Sequence, residues 1–379
     1  MEIAANLSTD RDTKQTLVVV FLRGAADGLT LVAPVEDDNY HRYRPRLAVK
    51  KSEAVPLDGS FGLHPNLRPL EAAWKEGDLA IVHAAGGESD SRSHFEAQDL
   101  MEHGGIAAGG WLGRYLRAKG PSQSPLGAVA LAPTLPDVLS GAPSAAAFLS
   151  LDEFGYGKRG GTAFDQQLQR LYELESDEIR HAATNTFEAI RRIESIDRHG
   201  SAENGATYDE KDDFARGLRQ VAQLIKADVG LDAASVDVGG WDSHFTQKTL
   251  IEPLMDRLAS GLAAFRQDLG SRMRSVTVVV MTEFGRTVQE NSAFGTDHGR
   301  GTAMFVLGGG VQGGRIHGAW QGLQSLEKRG SSESYGDLPV LNNYRDILAP
   351  VLLRHGLDAA QLGRVFPNFT FNPLPLYTG

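Results

Sequence analysis

The chain has 379 residues, with 48 acidic against 38 basic side chains, a net charge of −10 and no cysteine. An acidic surface of this kind disfavours nonspecific binding to nucleic acid or anionic membranes. The lack of cysteine excludes disulfides, thiolate nucleophiles and Cys-based zinc sites.

The start, Met1 to Gln15, is polar and shows no charged segment followed by an apolar one, so the sequence as it stands carries no export leader. That places the protein in the cytoplasm if the chain is complete, or makes it a form whose leader has been removed. No apolar run approaches the roughly 20 residues needed to span a bilayer, so no membrane insertion is expected.

Leu17 to Leu22 is an apolar, β-branched run that reads as a buried parallel strand. Leu67 to Glu76 has helical spacing and stops at Gly77. Leu79 to His83 reads as a second strand, and Ser93 to His103 as a helix with Ser91 or Ser93 as its cap. Gly127 to Leu131 is a further candidate strand. Phe164 to His199 and Tyr208 to Val229 are amphipathic and helical. Ala234 to Val238, Ser275 to Met281 and Ala303 to Leu307 are strands, with Leu250 to Leu269 and Asn343 to His355 as helices. The glycines at 308 to 314 suit either a site loop or tight turns. Strands alternating with helices predict a parallel sheet covered on both faces. The expectation is one α/β domain over 1–379, with a mainly helical insertion at approximately 152–230.

In open α/β sheets, ligands bind beyond the carboxyl ends of the strands. Here those ends lead to Asp27, to the segment Ser89 to His94, to Asp242 and His244, and to Glu283 and Arg286, while a later loop adds Asp297 and His298. Asp242 and His244 are two residues apart, so an extended segment points both the same way. Carboxylate and imidazole together suit a divalent metal of the zinc or manganese type. Ser91 and Ser93 stand where a helix begins, a position that favours an anionic group. A serine there is a candidate nucleophile, or simply a helix cap. His94 joins them as a candidate catalytic residue, and Arg92 and Arg286 are candidate clamps for anionic oxygens, or structural ion-pairing residues. His64, His83 and Trp111 are read as structural.

Taken as a set, these motifs resemble the DUF1501 family, a group of bacterial proteins of uncharacterised function. The matching segments are FLRGAADGLTLVAP from Phe21, FGLHPNLRPL from Phe61, SRSHFEAQ from Ser91, GGWLGRYL from Gly109, GGWDSH from Gly239, MTEFGRT from Met281 and TDHGRGTAMFVLGGGVQGG from Thr296. The family is similar to the alkaline phosphatase and sulfatase superfamily. That resemblance implies an alkaline-phosphatase-like, mostly parallel sheet sandwiched by helices, and a site of one or two ions. It implies Asp27, Asp242, His244, Glu283, Asp297 and His298 at the metal, with Ser93 or Ser91 as nucleophile. The ions would be zinc, manganese, calcium or magnesium. The sequence departs from the superfamily where Glu283-Phe284 replaces an Asp-His pair, and no cysteine is available for conversion to formylglycine.

The resemblance further implies twin-arginine export to the periplasm, or secretion. The leading expectation is a metal-dependent hydrolase of phosphate or sulfate esters, acting on a small-molecule or saccharide ester. The alternatives are a phosphotransferase or mutase on the same scaffold, and a metal- or carbohydrate-binding protein without turnover. Oligomeric state is not readable from the sequence.

Overall fold

The computed structural model describes residues 15–120, 122, 124–154, 162–197, 200–323 and 336–378. The main sheet is built from β1 (Thr16–Leu22), β2 (Leu79–Gly86), β3 (Ala128–Ala130), β4 (Ala146–Ala147), β5 (Ala233–Val238), β6 (Val276–Met281), β7 (Thr302–Gly308), β8 (Arg315–His317) and β9 (Asn342–Asn343). Their spatial order is β8-β2-β7-β6-β1-β5-β3-β4, with β9 also paired to β2. A three-stranded antiparallel sheet of Val32–Ala33, Gly62–Leu63 and Val55–Pro56 lies apart from it.

β1 sits at the centre because it is apolar on both faces. Val18, Val20 and Leu22 point into one buried cluster, and Leu17, Val19 and Phe21 into the other. This is the period-2 alternation of a strand covered on both sides. The first cluster is closed by α5 (Asp213–Lys226) and α6 (Gln247–Leu269), through Phe214, Leu218, Leu258, Leu262 and Phe265. The second is closed by α2 (Trp111–Lys119) and α7 (Tyr344–Arg354), through Leu112, Leu116, Ile347, Leu348 and Val351. Trp111 is fully buried there.

β7 is the one strand of the sheet that runs antiparallel to its neighbours, β6 and β2. A parallel return requires a crossover, usually helical. The segment between β6 and β7, residues 282–301, contains no helix, so the chain doubles straight back. The start of β7 therefore lies at the same sheet edge as the carboxyl ends of β1, β2, β5 and β6. The glycines at 308–310, at the other end of β7, have positive φ and make turns remote from that edge.

The middle of the chain is helical, as α3 (Thr162–Tyr172), α4 (Asp177–Glu194) and α5. The continuous helix expected over Phe164 to His199 is broken between Tyr172 and Asp177, where Ser176 takes an extended conformation as the cap of α4; residues 198 and 199 lie outside those described. Leu67 to Glu76 is also divided, because Pro69 stands inside a 3-10 turn, Pro65–Leu70, ahead of the short helix Glu71–Lys75. Among the described residues, no helix is long and apolar enough to cross a membrane.

Candidate metal centre

α1 (His94–Glu102) begins after the loop that leaves β2, and Ser93 is its cap. His94 is its first residue. The loop after β5 carries Asp242 and His244, and the loop before β7 carries Asp297 and His298. These segments meet because Gly24, at the end of β1 with φ +118°, lets the chain lie against the Asp242 loop. A Cβ at Gly24 would stand 2.5 Å from the Asp242 backbone nitrogen.

Three imidazoles converge on the Asp242 carboxylate. His94 Nε2 lies 3.4 Å from Oδ2, His244 Nε2 3.0 Å from Oδ1, and His298 Nε2 3.3 Å from Oδ1. The other ring nitrogen of each faces an acceptor that has no proton to give. His94 Nδ1 donates to Glu283 at 2.7 Å, His244 Nδ1 to Asp297 at 3.1 Å, and His298 Nδ1 to the Arg92 carbonyl at 2.7 Å. A neutral ring with its proton on Nδ1 presents a bare lone pair at Nε2. The three lone pairs thus face one carboxylate, and those of His244 and His298 face each other at 2.9 Å. His94 Nε2 is buried with no hydrogen-bond partner among the described residues. Such a set of converging acceptors is suited to a cation. One atom each from His94, Asp242 and His298 lies within 4.8 Å of the others, and these three could hold a metal ion.

The electrostatics follow from the contacts. Burial opposes the charge on Asp242, but the Arg286 guanidinium at 2.6 Å outweighs it and holds the carboxyl at about 2. Burial likewise opposes ionisation of Glu283, but hydrogen bonds from His94 and Gln98 keep it below the usual carboxylate range. The Glu283 hydrogen bond raises His94, while burial lowers His298.

The remaining expected site residues are placed differently. Asp27 caps the helix Gly28–Leu31 and is fully committed. It pairs with Arg44 through both carboxylate oxygens, at 2.6 and 3.0 Å, and accepts from Thr30 and Gln247. Glu283 and Asp297 orient His94 and His244. Arg286 is buried and donates to the carbonyls of Gly24, Ala25, Trp241 and Thr296, so it ties the strand-end loops together rather than clamping a ligand. Loop carbonyls removed from water need such a donor. Arg92 is spent on Asp337 and the His298 carbonyl. Ser91 Oγ donates to Glu96. Ser93 makes no side-chain cap bond, leaving its hydroxyl available. His64 caps the 3-10 turn, and His83 is buried against the Val32 carbonyl. Sequence reasoning missed Arg44 as the partner of Asp27, and Phe284, which stacks on His94 at 5.0 Å. No signal singled out Arg44, which stands among Asp37, Asp38, Arg42 and Arg46 in its own segment.

The sequence pattern of DUF1501, described as a protein family of unknown function, matches residues 89–363. The chain belongs to the DUF1501 family. The matched span takes in both loops that meet at Asp242, and His94 with them. No curated protein matches this DUF1501 chain. Solved structures similar to it include the following two. One is the C-terminal periplasmic domain of EcEptC from Escherichia coli in complex with zinc, at 10% identity and TM-score 0.39, covering 97% of this chain and 91% of that one. The other is the PH0037 protein of Pyrococcus horikoshii, at 13% identity and TM-score 0.36, covering 95% and 99%.

Proposed function

We propose that this protein binds one divalent ion, zinc in preference, through His94, Asp242 and His298, and is a metal-dependent hydrolase of phosphate or sulfate esters. The observation that carries the metal is the convergence of lone pairs on Asp242, with each imidazole already oriented from behind. Two nitrogens and one oxygen form a zinc-type ligand set that leaves a fourth position open, as hydrolytic zinc sites do. A hydrogen-bonding partner behind each ligating histidine is the usual companion of such a site. The ester class rests on the resemblance of the motifs to the phosphatase and sulfatase superfamily.

The bound ion would act as a Lewis acid on an ester oxygen and supply positive charge to the developing anion. The protein's own groups divide the remaining work. His244 is partly exposed, with Asp297 fixing its tautomer, and is the candidate to accept and return a proton. Ser93 is the candidate nucleophile, its hydroxyl unspent at the start of α1, where free backbone N–H groups favour an anion. Arg286 holds Asp242 ionised and in place.

The test is metal content by mass spectrometry on purified wild type beside Asp242→Ala and His298→Ala, followed by a screen of phosphate and sulfate esters. One equivalent of zinc in wild type, absent from both variants, with turnover of an ester, supports the reading. A folded wild type that takes up no metal on reloading sinks it and favours a binding protein without turnover.

A further inference from the structure

Beside the metal cluster lies a cavity of about 750 Å³, bounded by α1, the start of α7 and the segment 367–369. It shares a wall with the cluster. Glu283 and Phe284 line it, and these two residues also hold His94 by hydrogen bond and by stacking. Much of the remaining lining is apolar, with Leu100, Met101, Ile106, Val340 and Phe369. Ile106, at the rim, is 95% exposed.

The polar groups in this wall are unequal. Each carboxylate already has a donor. Glu283 is held by His94, Glu96 by the Ser91 hydroxyl, and Glu88 by Arg345 and Asn343. Arg300 is different. One of its terminal nitrogens donates to the Glu88 carbonyl at 3.1 Å, but its Nε is buried and has no partner. It is the one buried side-chain polar atom among the described lining residues left in that state. Its acidic neighbour Asp337 gives Oδ2 to Arg92 at 2.7 Å, while its Oδ1 is likewise buried without a hydrogen-bond partner and makes no hydrogen bond to Arg300. A buried guanidinium donor without a partner costs free energy, and an anion satisfies it better than a neutral acceptor.

We infer that this cavity holds the organic part of the ester, and that it selects an apolar or aromatic group carrying a second acidic substituent, which Arg300 reads. The inference rests on the metal-centre proposal for where the reacting bond lies. The ligand class itself comes from the cavity alone. Arg300 is two residues beyond His298, so the acidic group is read from the same loop that carries a residue of the cluster.

Two probes of the same shape separate the charge from the apolar surface, namely 8-anilinonaphthalene-1-sulfonate and its uncharged parent N-phenyl-1-naphthylamine. Each is titrated into zinc-loaded and EDTA-stripped full-length protein. The expected result is one-to-one binding, with the sulfonate favoured by tenfold or more. Arg300→Met removes that preference without weakening the parent compound, and Arg300→Lys retains part of it. Ile106→Ser, at an exposed position, weakens both probes alike. Equal affinity of wild type for the two probes overturns the inference, whatever the variants do. So does a preference that survives Arg300→Met, or one that disappears on removing zinc from wild type, since the metal would then be holding the sulfonate. A protein that takes up no zinc yet shows the Arg300-dependent preference sinks the hydrolase reading and leaves the ligand class standing.

Discussion

Glu283 accepts a hydrogen bond from His94 Nδ1 at 2.7 Å, with its carboxylate wholly removed from solvent. The same carboxylate also accepts from the Gly24 backbone, from Gln98 and from the Thr282 hydroxyl. A buried charge so fully hydrogen-bonded is a fixed object, and the ring it holds is fixed with it. Glu283→Gln should therefore weaken zinc binding by about 10- to 100-fold without abolishing it. Zinc titration against a competing chelator measures this, and an unchanged affinity would mean that Glu283 does not orient a ligand.

His244 and His298 should separate in their effects. His298→Ala removes a ligand and should empty the site. His244→Ala should keep the zinc and lose turnover by about 100-fold or more, the usual contribution of a positioned proton carrier. Metal content and ester hydrolysis measured on the same preparations decide it. Zinc lost equally from both variants would make His244 a ligand instead.

The ion pair between Asp27 and Arg44 is sealed from water on both sides. Arg44→Met leaves Asp27 charged and without its main partner, and should cost about 3–5 kcal/mol of stability. Urea denaturation reads this directly. Asp27→Asn should also lower stability, yet keep the wild-type zinc content, because Asp27 stands outside the metal cluster. Zinc lost from a folded Asp27→Asn protein would restore Asp27 to the metal site.

Gly295 lies against the backbone of His244, and a Cβ there would come within 2.3 Å of the His244 carbonyl. Neither backbone can yield without moving a side chain of the cluster. Gly295→Ala should therefore displace His244 and lower turnover by on the order of tenfold while the zinc is kept, in the same sense as His244→Ala. Full turnover, or zinc lost from the folded variant, would count against this.

Burial pushes His83 down to about 4 from its ordinary 6.5. The unfolded chain then binds the proton more readily than the folded one between these values. Stability from this group is complete above about pH 6.5 and is lost as pH falls towards 4, by on the order of 3 kcal/mol. His64 and His355 are lowered mainly by burial too and act in the same sense. Urea midpoints of EDTA-stripped protein across this range should fall with acid, and His83→Gln should flatten the slope. An unchanged slope in that variant would show that His83 does not carry the effect.

The sequence by itself determined the sheet and the edge at which the chemistry gathers. Runs such as Leu17 to Leu22 and Val278 to Met281 are apolar at every position, and such runs form strands covered on both faces wherever they lie. Because Asp242 and His244 closely follow the strand Ala234 to Val238, they could be placed at that edge before any distance was known, whereas His298 comes from a later loop whose place depends on the course of β7. The tertiary structure alone decided what each acidic residue does there. Asp27 and Glu283 look alike in sequence, each a lone acid just beyond a strand, yet one is held by Arg44 and the other stands behind His94. The same holds for the reversal of β7, which depends on a connection without a helix, and for Arg300, whose unmatched donor shows only when the cavity wall is assembled. Local patterns fix strands because backbone and burial preferences act over a few residues. Which charge meets which partner depends on loops brought together from opposite ends of the chain, and no short-range pattern records that meeting.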